Sequence, residues 1–365
     1  METIDYKTSE ALAWLRYVLT NSALPSISDW QGVYEFCDKQ KISGVCEPTH
    51  YDVHVKDDVL LEWMALNRLL NRSNEQTNKR VCQLFRMLEG DGFRCCLLKG
   101  QGNAEMYKDP LLRYPGDIDV WVDADRKTVC EYVKRIFPNP HSNYMHVEYP
   151  IFKDVLVELH YFPLKFRHPL YQRRFQRWLD ENKEEQFKHT IKLTGTEENI
   201  SVPTFQFNVV YQLGHIMTHV FDEGICLRQL IDYYYVLKNL EGISEEEKEQ
   251  IRKAWKRFGL GRLASAIMWI EHEVLGLPEQ YLLTTPDEKW GRKILDDTLE
   301  GGNFGKYSQR LVNVGLGRIN KRTATFKRLI SLFPCFPGET VFRLLARTKA
   351  MFKRDYAKMK NLSIR

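Results

Sequence analysis

Apolar residues recur at helical spacing through the first ninety positions. Over 9–21, Ala11, Leu12, Leu15, Val18 and Leu19 share one stripe and predict a helix, with a break at Pro25. Ser28 or Asp29 is placed to cap a second helix running through Phe36, and Gly44 and Pro48 close this portion. From Lys56 to Glu89 there is neither Gly nor Pro. Val59, Trp63, Leu66 and Leu70, then Val81, Leu84 and Leu88, predict one or two long helices ended by Gly90 and Gly92. The Asn/Arg/Ser cluster at 71–74 is expected to face solvent or to interrupt the helix.

The period then changes. Phe93–Leu98 reads as a buried strand, Lys99-Gly100 as a turn opening a short helix, and Arg113 as part of a loop. In the strand that follows, Ile118, Val120 and Val122 take an apolar face. Asp117 and Asp119 leave the other face, roughly 7 Å apart. Asp125–Phe137 predicts a helix stopped by Pro138 and Pro140, and strands are expected at Met145–Tyr149 and Asp154–Tyr161. In the second, Val155, Val157 and Leu159 alternate with Leu156, Glu158 and His160. Pro169–Lys183 reads as a basic, aromatic helix, and His189–Leu193 with Ile200–Pro203 as a hairpin around Gly195. Beyond Thr204 the pattern is mainly helical: Gln206–Phe221, Ile225–Leu240, Glu245–Phe258 and Gly261–Leu275, with Phe333–Pro337 introducing the end of the chain. Helix, glycine turn, strand, glycine turn, helix predicts an α/β (α+β) class. The expected division is an N-terminal helical segment at 1–77, a core at 78–203, and a helical domain with a basic tail at 204–365.

Composition changes this picture little. The 365 residues are 43% hydrophobic and 28% charged, as in an ordinary globular protein. No apolar run approaches a membrane span, and the acidic first residues are unlike a signal peptide. The eight cysteines are scattered without a C-x-x-C pair, which predicts a reduced, cytoplasmic protein. Charge is more informative. The net +5 resolves into +10 over 321–365, where twelve Lys/Arg meet only Glu339 and Asp355, and −5 over the preceding 320 residues. Such a tail reads as a solvated face. Its interleaved Phe326, Leu329, Phe342, Leu345 and Phe352 also permit an anionic partner, lipid surface or nucleic acid.

The candidate chemistry lies upstream of that tail. Two carboxylates on one strand face suit Mg²⁺, which takes one or two protein oxygens and completes its shell with water and substrate phosphate. Asp119 is expected near solvent, and Glu158 offers a third carboxylate from another strand. Lys99-Gly100 presents free backbone N–H groups to phosphate at a helix start, and Arg113 has the planar fork to clamp a triphosphate. His160 is placed to orient Glu158, to touch phosphate, or simply to pack. His215 and His219, four apart, share a helical face. Zinc is one reading, but Ile216 stands where a metalloprotease helix has Glu. Arg228 and Asp232 form either an intrahelical ion pair or, with the two histidines, a cleft wall.

Leu98-Lys99-Gly100 followed by Arg113-Tyr114-Pro115-Gly116-Asp117-Ile118-Asp119 resembles the polymerase-beta-like nucleotidyltransferase superfamily. It is most similar to a bacterial family of uncharacterised nucleotidyltransferases. The likeness extends to Glu158-Leu159-His160 and, more loosely, to 214–237. The chain departs from the wider superfamily at Gln101, where Gly or Ser is usual, and in a longer interval before Asp117. The resemblance implies a mixed-sheet core and transfer of a nucleoside monophosphate from an NTP such as ATP to an acceptor hydroxyl. The acceptor, a small molecule, protein or RNA, is left open. It further implies two Mg²⁺ ions held by Asp117, Asp119 and Glu158, with the nucleotide on Lys99, Gly100, Gln101 and Arg113. The alternative is a non-catalytic module that keeps the fold and binds a nucleotide or another anion.

Overall fold

The structure, a computed structural model, describes residues 9–222, 224–302, 326 and 328–362, with the backbone alone for 350–362. The expected tail cations Lys321, Arg322, Lys327 and Arg365 lie outside the described residues, as do the side chains of Phe352, Lys353, Arg354, Lys358 and Lys360.

Helix α1 spans Glu10–Thr20, with the Ser9 hydroxyl accepting from the Leu12 N–H. Helix α2 spans Trp30–Gln40, and its cap is Asp29 rather than Ser28. Ser28 instead donates its N–H and hydroxyl to Glu10. Helix α3 is a single run, Asp57–Gly90. The polar cluster at 71–74 does not interrupt it, and Asn74 faces inward. Asn74 is fully buried and donates to the carbonyls of Leu111 and Arg113, at 2.6 and 2.8 Å. A loop buried against a helix needs donors for its carbonyls, and Asn74 provides one.

Strands β1 (Cys95–Leu98), β2 (Ile118–Val122), β3 (His146–Glu148) and β4 (Val157–His160) form one mixed sheet in the order β1-β2-β4-β3. β2 runs antiparallel to β1 and parallel to β4, and β4 runs antiparallel to β3. Alternation gives the sheet two different faces. Cys95, Leu97, Ile118, Val120, Val122, Val157 and Leu159 share one core cluster with Val81, Leu84, Phe85 and Leu88 of α3 and with Val129 and Val133 of α5 (Arg126–Lys134). The opposite face carries Cys96, Leu98 and Trp121 into a second, larger cluster. There the Trp121 ring lies 4.9 Å from that of Phe187 and 6.0 Å from that of Phe207. Asp119, Glu158 and His160 also belong to this second face, in step with the alternation.

Helix α6 (Pro169–Gln186) and the hairpin of β5 (Thr190–Lys192) and β6 (Asn199–Ser201) lead into α7 (Phe205–Asp222) and α8 (Leu227–Lys238). Gly214 lets α7 lie close over the loop after β4, since a Cβ there would collide with Leu164. α9 (Glu245–Arg257) and α10 (Gly261–Trp269) follow, and the helix predicted to Leu275 ends in a π turn, Ile270–Val274. α11 (Glu288–Gly301) is an addition to the predicted elements; it buries Ile294, Leu295 and Leu299, with Trp290 half-buried against the same cluster. α12 (Pro337–Leu362) carries the basic end. Its first turns are not a solvated face. Glu339, Thr340 and Arg343 are buried, and the Glu339 carboxylate accepts from the N–H groups of Arg167 and His168 at 2.7 and 3.0 Å. Phe342 packs on the His168 ring, whereas Leu345 is exposed.

Candidate active site

Strand register brings the acids together. Asp119 stands beside Glu158 across the parallel pair, and His146 stands beside His160 across the antiparallel one. Asp117 sits on the residue before β2, and Asp117, Asp119 and Glu158 each place a carboxylate oxygen within 4.8 Å of the others. They line a cleft of about 380 Å³ that also includes Lys99, Gly100, Arg113, His160, His215, His219, Arg228 and Asp232. The volume suits a small-molecule ligand.

The three acids differ in surroundings. Asp117 is exposed, Glu158 is half-buried, and Asp119, expected near solvent, is only 3% exposed. A carboxylate at that depth needs counter-charge. Lys99 Nζ lies 2.8 Å from its Oδ2 and His160 Nε2 lies 2.8 Å from its Oδ1. Burial alone would raise the Asp119 pKa, but Lys99 and His160 outweigh it and hold the group well below the usual carboxylate range. Burial likewise works against the Lys99 ammonium, and Asp119 reverses the shift to upward. For His160, burial is overcome by the hydrogen bonds to Asp119 and Glu158, and its pKa is pushed up to about 9. Asp117 moves the other way: the neighbouring charge of Asp119, then desolvation of its carboxylate within the cleft, raises its pKa. Three carboxylates thus face two internal cations, Lys99 and protonated His160, and the open member is the one short of positive charge.

The backbone at this point is unusual. Lys99 has φ +52°, in the left-handed region, and Gly100 follows at φ +43°. Two successive residues of this kind turn the chain out of β1 and into α4 (Gly100–Ala104). α4 is only five residues long, so its contribution to an anion is the free N–H groups of the turn rather than a helix dipole.

His146, at the sheet edge, is a functional candidate that the sequence reading did not single out. Its Nδ1 lies 2.8 Å from Glu158 Oε2, though without a straight N–H···O line. His146, Glu158 and His160 could also be read as a two-histidine, one-carboxylate metal set. Tautomer chemistry argues against that. Asn143 Oδ1 accepts from the Met145 and His146 N–H groups, which turns Asn143 Nδ2 toward His146 Nε2 at 2.8 Å. His146 Nε2 must then accept, so Nδ1 carries the proton and has no lone pair for a metal. The all-oxygen set of Asp117, Asp119 and Glu158 remains, and it fits a hard divalent cation. His146 and His160 brace Glu158, and Glu158, whose burial they outweigh, has its pKa lowered to about 2.

Other predicted site residues are placed differently. Arg113 borders the cleft but is only 5% exposed. Its Nε and Nη2 bind both Asp232 oxygens at 2.7 and 2.8 Å, and its Nη1 donates to the Tyr114 carbonyl. Its planar fork is occupied by Asp232 and anchors the loop, rather than standing open to a phosphate. Asp232 therefore pairs across the fold with Arg113 rather than along its helix with Arg228, and Tyr107 Oη adds a third bond at 2.5 Å. Arg228 donates to the carbonyls of Tyr114 and Pro115, at 3.1 and 3.2 Å, and so holds the same loop. Gln101 is outside the cleft. It is buried against α3, with its amide donating to Asn74 and Asn78 at 3.2 and 2.6 Å. His215 and His219 do face the cleft, 2.8 Å apart, with Lys99 Nζ 3.3 Å from His215 Nε2. Burial, then Lys99 and His219, hold His215 well below its ordinary pKa, and the nitrogen a zinc ion would need faces an ammonium group instead.

Comparison with known proteins bears on the whole arrangement. The model of a family described as uncharacterised nucleotidyltransferase matches residues 26–276. No curated protein sequence matches the chain. Among solved structures the chain is similar to an antigenic nucleotidyltransferase-like protein from Paracoccidioides brasiliensis. That likeness has 12% identity and a TM-score of 0.30, over 49% of this chain and 87% of that one.

Proposed function

Because this chain belongs to the uncharacterised nucleotidyltransferase family, we propose that it transfers a nucleoside monophosphate from an NTP to an acceptor hydroxyl, with Mg²⁺ as cofactor. The observation that carries this reading is the convergence of Asp117, Asp119 and Glu158 in one cleft. Two Mg²⁺ ions bound by these oxygens would polarise the phosphates and neutralise the charge of the departing pyrophosphate. Lys99 and the N–H groups after it would hold the triphosphate, the role first given to Arg113. Glu158, braced by His146 and His160, would accept the proton of the attacking hydroxyl. The new O–Pα bond forms as the bond from Pα to the β-phosphate oxygen breaks, so atoms and charge balance. His215, held neutral, would take up the freed Lys99 ammonium when Asp119 turns to the metal. Among the described residues no helix is long and apolar enough to cross a membrane. The reading keeps the metal and nucleotide contacts within residues 78–203 of a cytoplasmic protein, and has 204–365 close the cleft and supply His215.

A non-catalytic binding module has one observation in its favour: Asp119 is already bonded by Lys99 and His160. A divalent ion there has to share Asp119 oxygens with two cations that repel it. The uncompensated charge at exposed Asp117 favours the ion and keeps catalysis as the better reading. Incubation with each labelled NTP and Mg²⁺, followed by mass analysis of cell-extract products, tests it. A labelled adduct that requires both metal and Asp117 is expected, and no adduct with any triphosphate would leave the binding module.

A further inference from the structure

The sheet order gives the cleft a direction. Lys99 and Gly100 follow β1 at one side, Asp117 and Asp119 come from β2, Glu158 from β4, and His146 from β3 at the far side. If the triphosphate lies on the Lys99–Gly100 turn and Glu158 faces the attacking hydroxyl, the acceptor enters from the β3 side.

At that side Tyr144 lines the cleft, just before β3. Lys165 Nζ stands 4.5 Å and Arg167 Cζ 4.4 Å from the centre of its ring. Arg167 also donates to Tyr144 Oη at 3.1 Å. Arg126, at the start of α5, has its Cζ 5.9 Å from the centre of the Tyr161 ring, and burial, then Arg167 and Arg126, lowers the Lys165 pKa. Other cations around the cleft have partners: Lys99 has Asp119, and Arg228 is held by the Tyr114 and Pro115 carbonyls. Arg113 has Asp232, and Arg343 has Asp222 and Glu339. Among the described residues Lys165, Arg167 and Arg126 form no ion pair with a carboxylate. Like charges gathered without a counter-ion cost folding energy, and they create a positive potential that an anion would relieve.

We propose that Lys165, Arg167 and Tyr144 form a subsite for a phosphate group carried by the acceptor, with Arg126 as an outer contact, and that the acceptor is a small phosphomonoester bearing a free hydroxyl. This rests on the transfer reaction proposed above. A phosphomonoester dianion offers tetrahedral oxygens to an ammonium and a guanidinium fork together. The small size follows from the grouping of the cations around one ring at a cleft of about 380 Å³. A nucleic-acid strand would need a row of cations along its backbone, and residues 1–320 carry a net −5.

The test is a ³¹P NMR titration of the full chain with inorganic phosphate and with glycerol 3-phosphate, alongside calorimetry with Mg–ATP and with a short RNA. The double variant Lys165→Ala/Arg167→Ala should lose at least tenfold in affinity for both phosphate probes and change less than twofold toward Mg–ATP. Lys165→Arg should retain phosphate binding. Arg126→Gln, on an exposed first turn, should weaken phosphate about threefold and guards against misfolding of the double variant. Phosphate binding that survives the double variant but vanishes in Lys99→Ala overturns the inference. So does a wild-type protein that binds neither probe, or one that binds RNA in preference to both. Failure to bind Mg–ATP with this phosphate site intact would instead remove the transfer reaction, so the two failures are distinguishable.

Discussion

Two buried charge clusters meet at this cleft, and they close differently. In the loop cluster, Arg113 and Asp232 match fork to carboxylate, Tyr107 adds a bond to Asp232, and the Tyr114 carbonyl accepts from Arg113. In the strand cluster, three carboxylates share Lys99 and His160, and exposed Asp117 is left with a raised pKa. Balanced charge makes a joint, whereas unbalanced charge makes a site. The joint serves the site: Arg113, Arg228 and Asn74 all fasten the loop that delivers Asp117 to the end of β2.

The sharpest way to break this comparison is to neutralise the open member. Asp117→Asn should reduce transfer roughly a thousandfold, the scale of losing several kcal/mol of metal-borne stabilisation. Its melting temperature should hardly move, because Asp117 is exposed. Asp119→Asn should lose both activity and stability, since it removes the buried counter-charge that Lys99 and His160 share. Equal melting of the two variants would show that the acids are not distinguished as described.

Next in size is the joint. Arg113→Ala strands a buried carboxylate and should cost about 3–5 kcal/mol in a denaturant titration. A loss under 1 kcal/mol would mean that Arg113 is not structural and would reopen the phosphate-clamp reading.

A third buried acid extends the comparison to a carboxyl with no internal cation. Glu271, in the π turn, is fully buried, and neither oxygen has a hydrogen-bond partner among the described residues. Burial raises its pKa well above the ordinary value of 4.5. For an acid with a raised folded-state pKa, the stabilising contribution is complete below the unfolded-state pKa and is lost as pH rises toward the folded value. Melting temperature should therefore fall from about pH 4.5 upward in the wild type relative to Glu271→Gln. Parallel pH profiles for the two proteins would show that the group is not held neutral. The smallest effect is expected from Tyr107→Phe, which removes one bond to Asp232 and should cost about 1 kcal/mol in the same titration, with metal binding untouched.

What the sequence discloses and what it hides follow the same division. Local periodicity showed α1 to α3 and the alternation in β2. The two-residue spacing of Asp117 and Asp119, with a later strand acid, was enough to foresee the carboxylate cluster. The joint could not be foreseen, because Arg113 and Asp232 are 119 positions apart and no local pattern pairs them. Gln101 looked like a site residue from its position after Gly100, but its direction depends on where α3 packs. His146 was within reach. Periodicity predicts both strands, and drawing them as an antiparallel pair sets His146 beside His160.

The central claim is that the strand cluster lacks positive charge and the loop cluster does not. Mn²⁺ binding followed by electron paramagnetic resonance, in the full chain with a non-hydrolysable ATP analogue, tests it most directly. Wild type and Tyr107→Phe should bind Mn²⁺ alike, and Asp117→Asn should bind at least tenfold more weakly. Undiminished Mn²⁺ binding by Asp117→Asn would contradict the account.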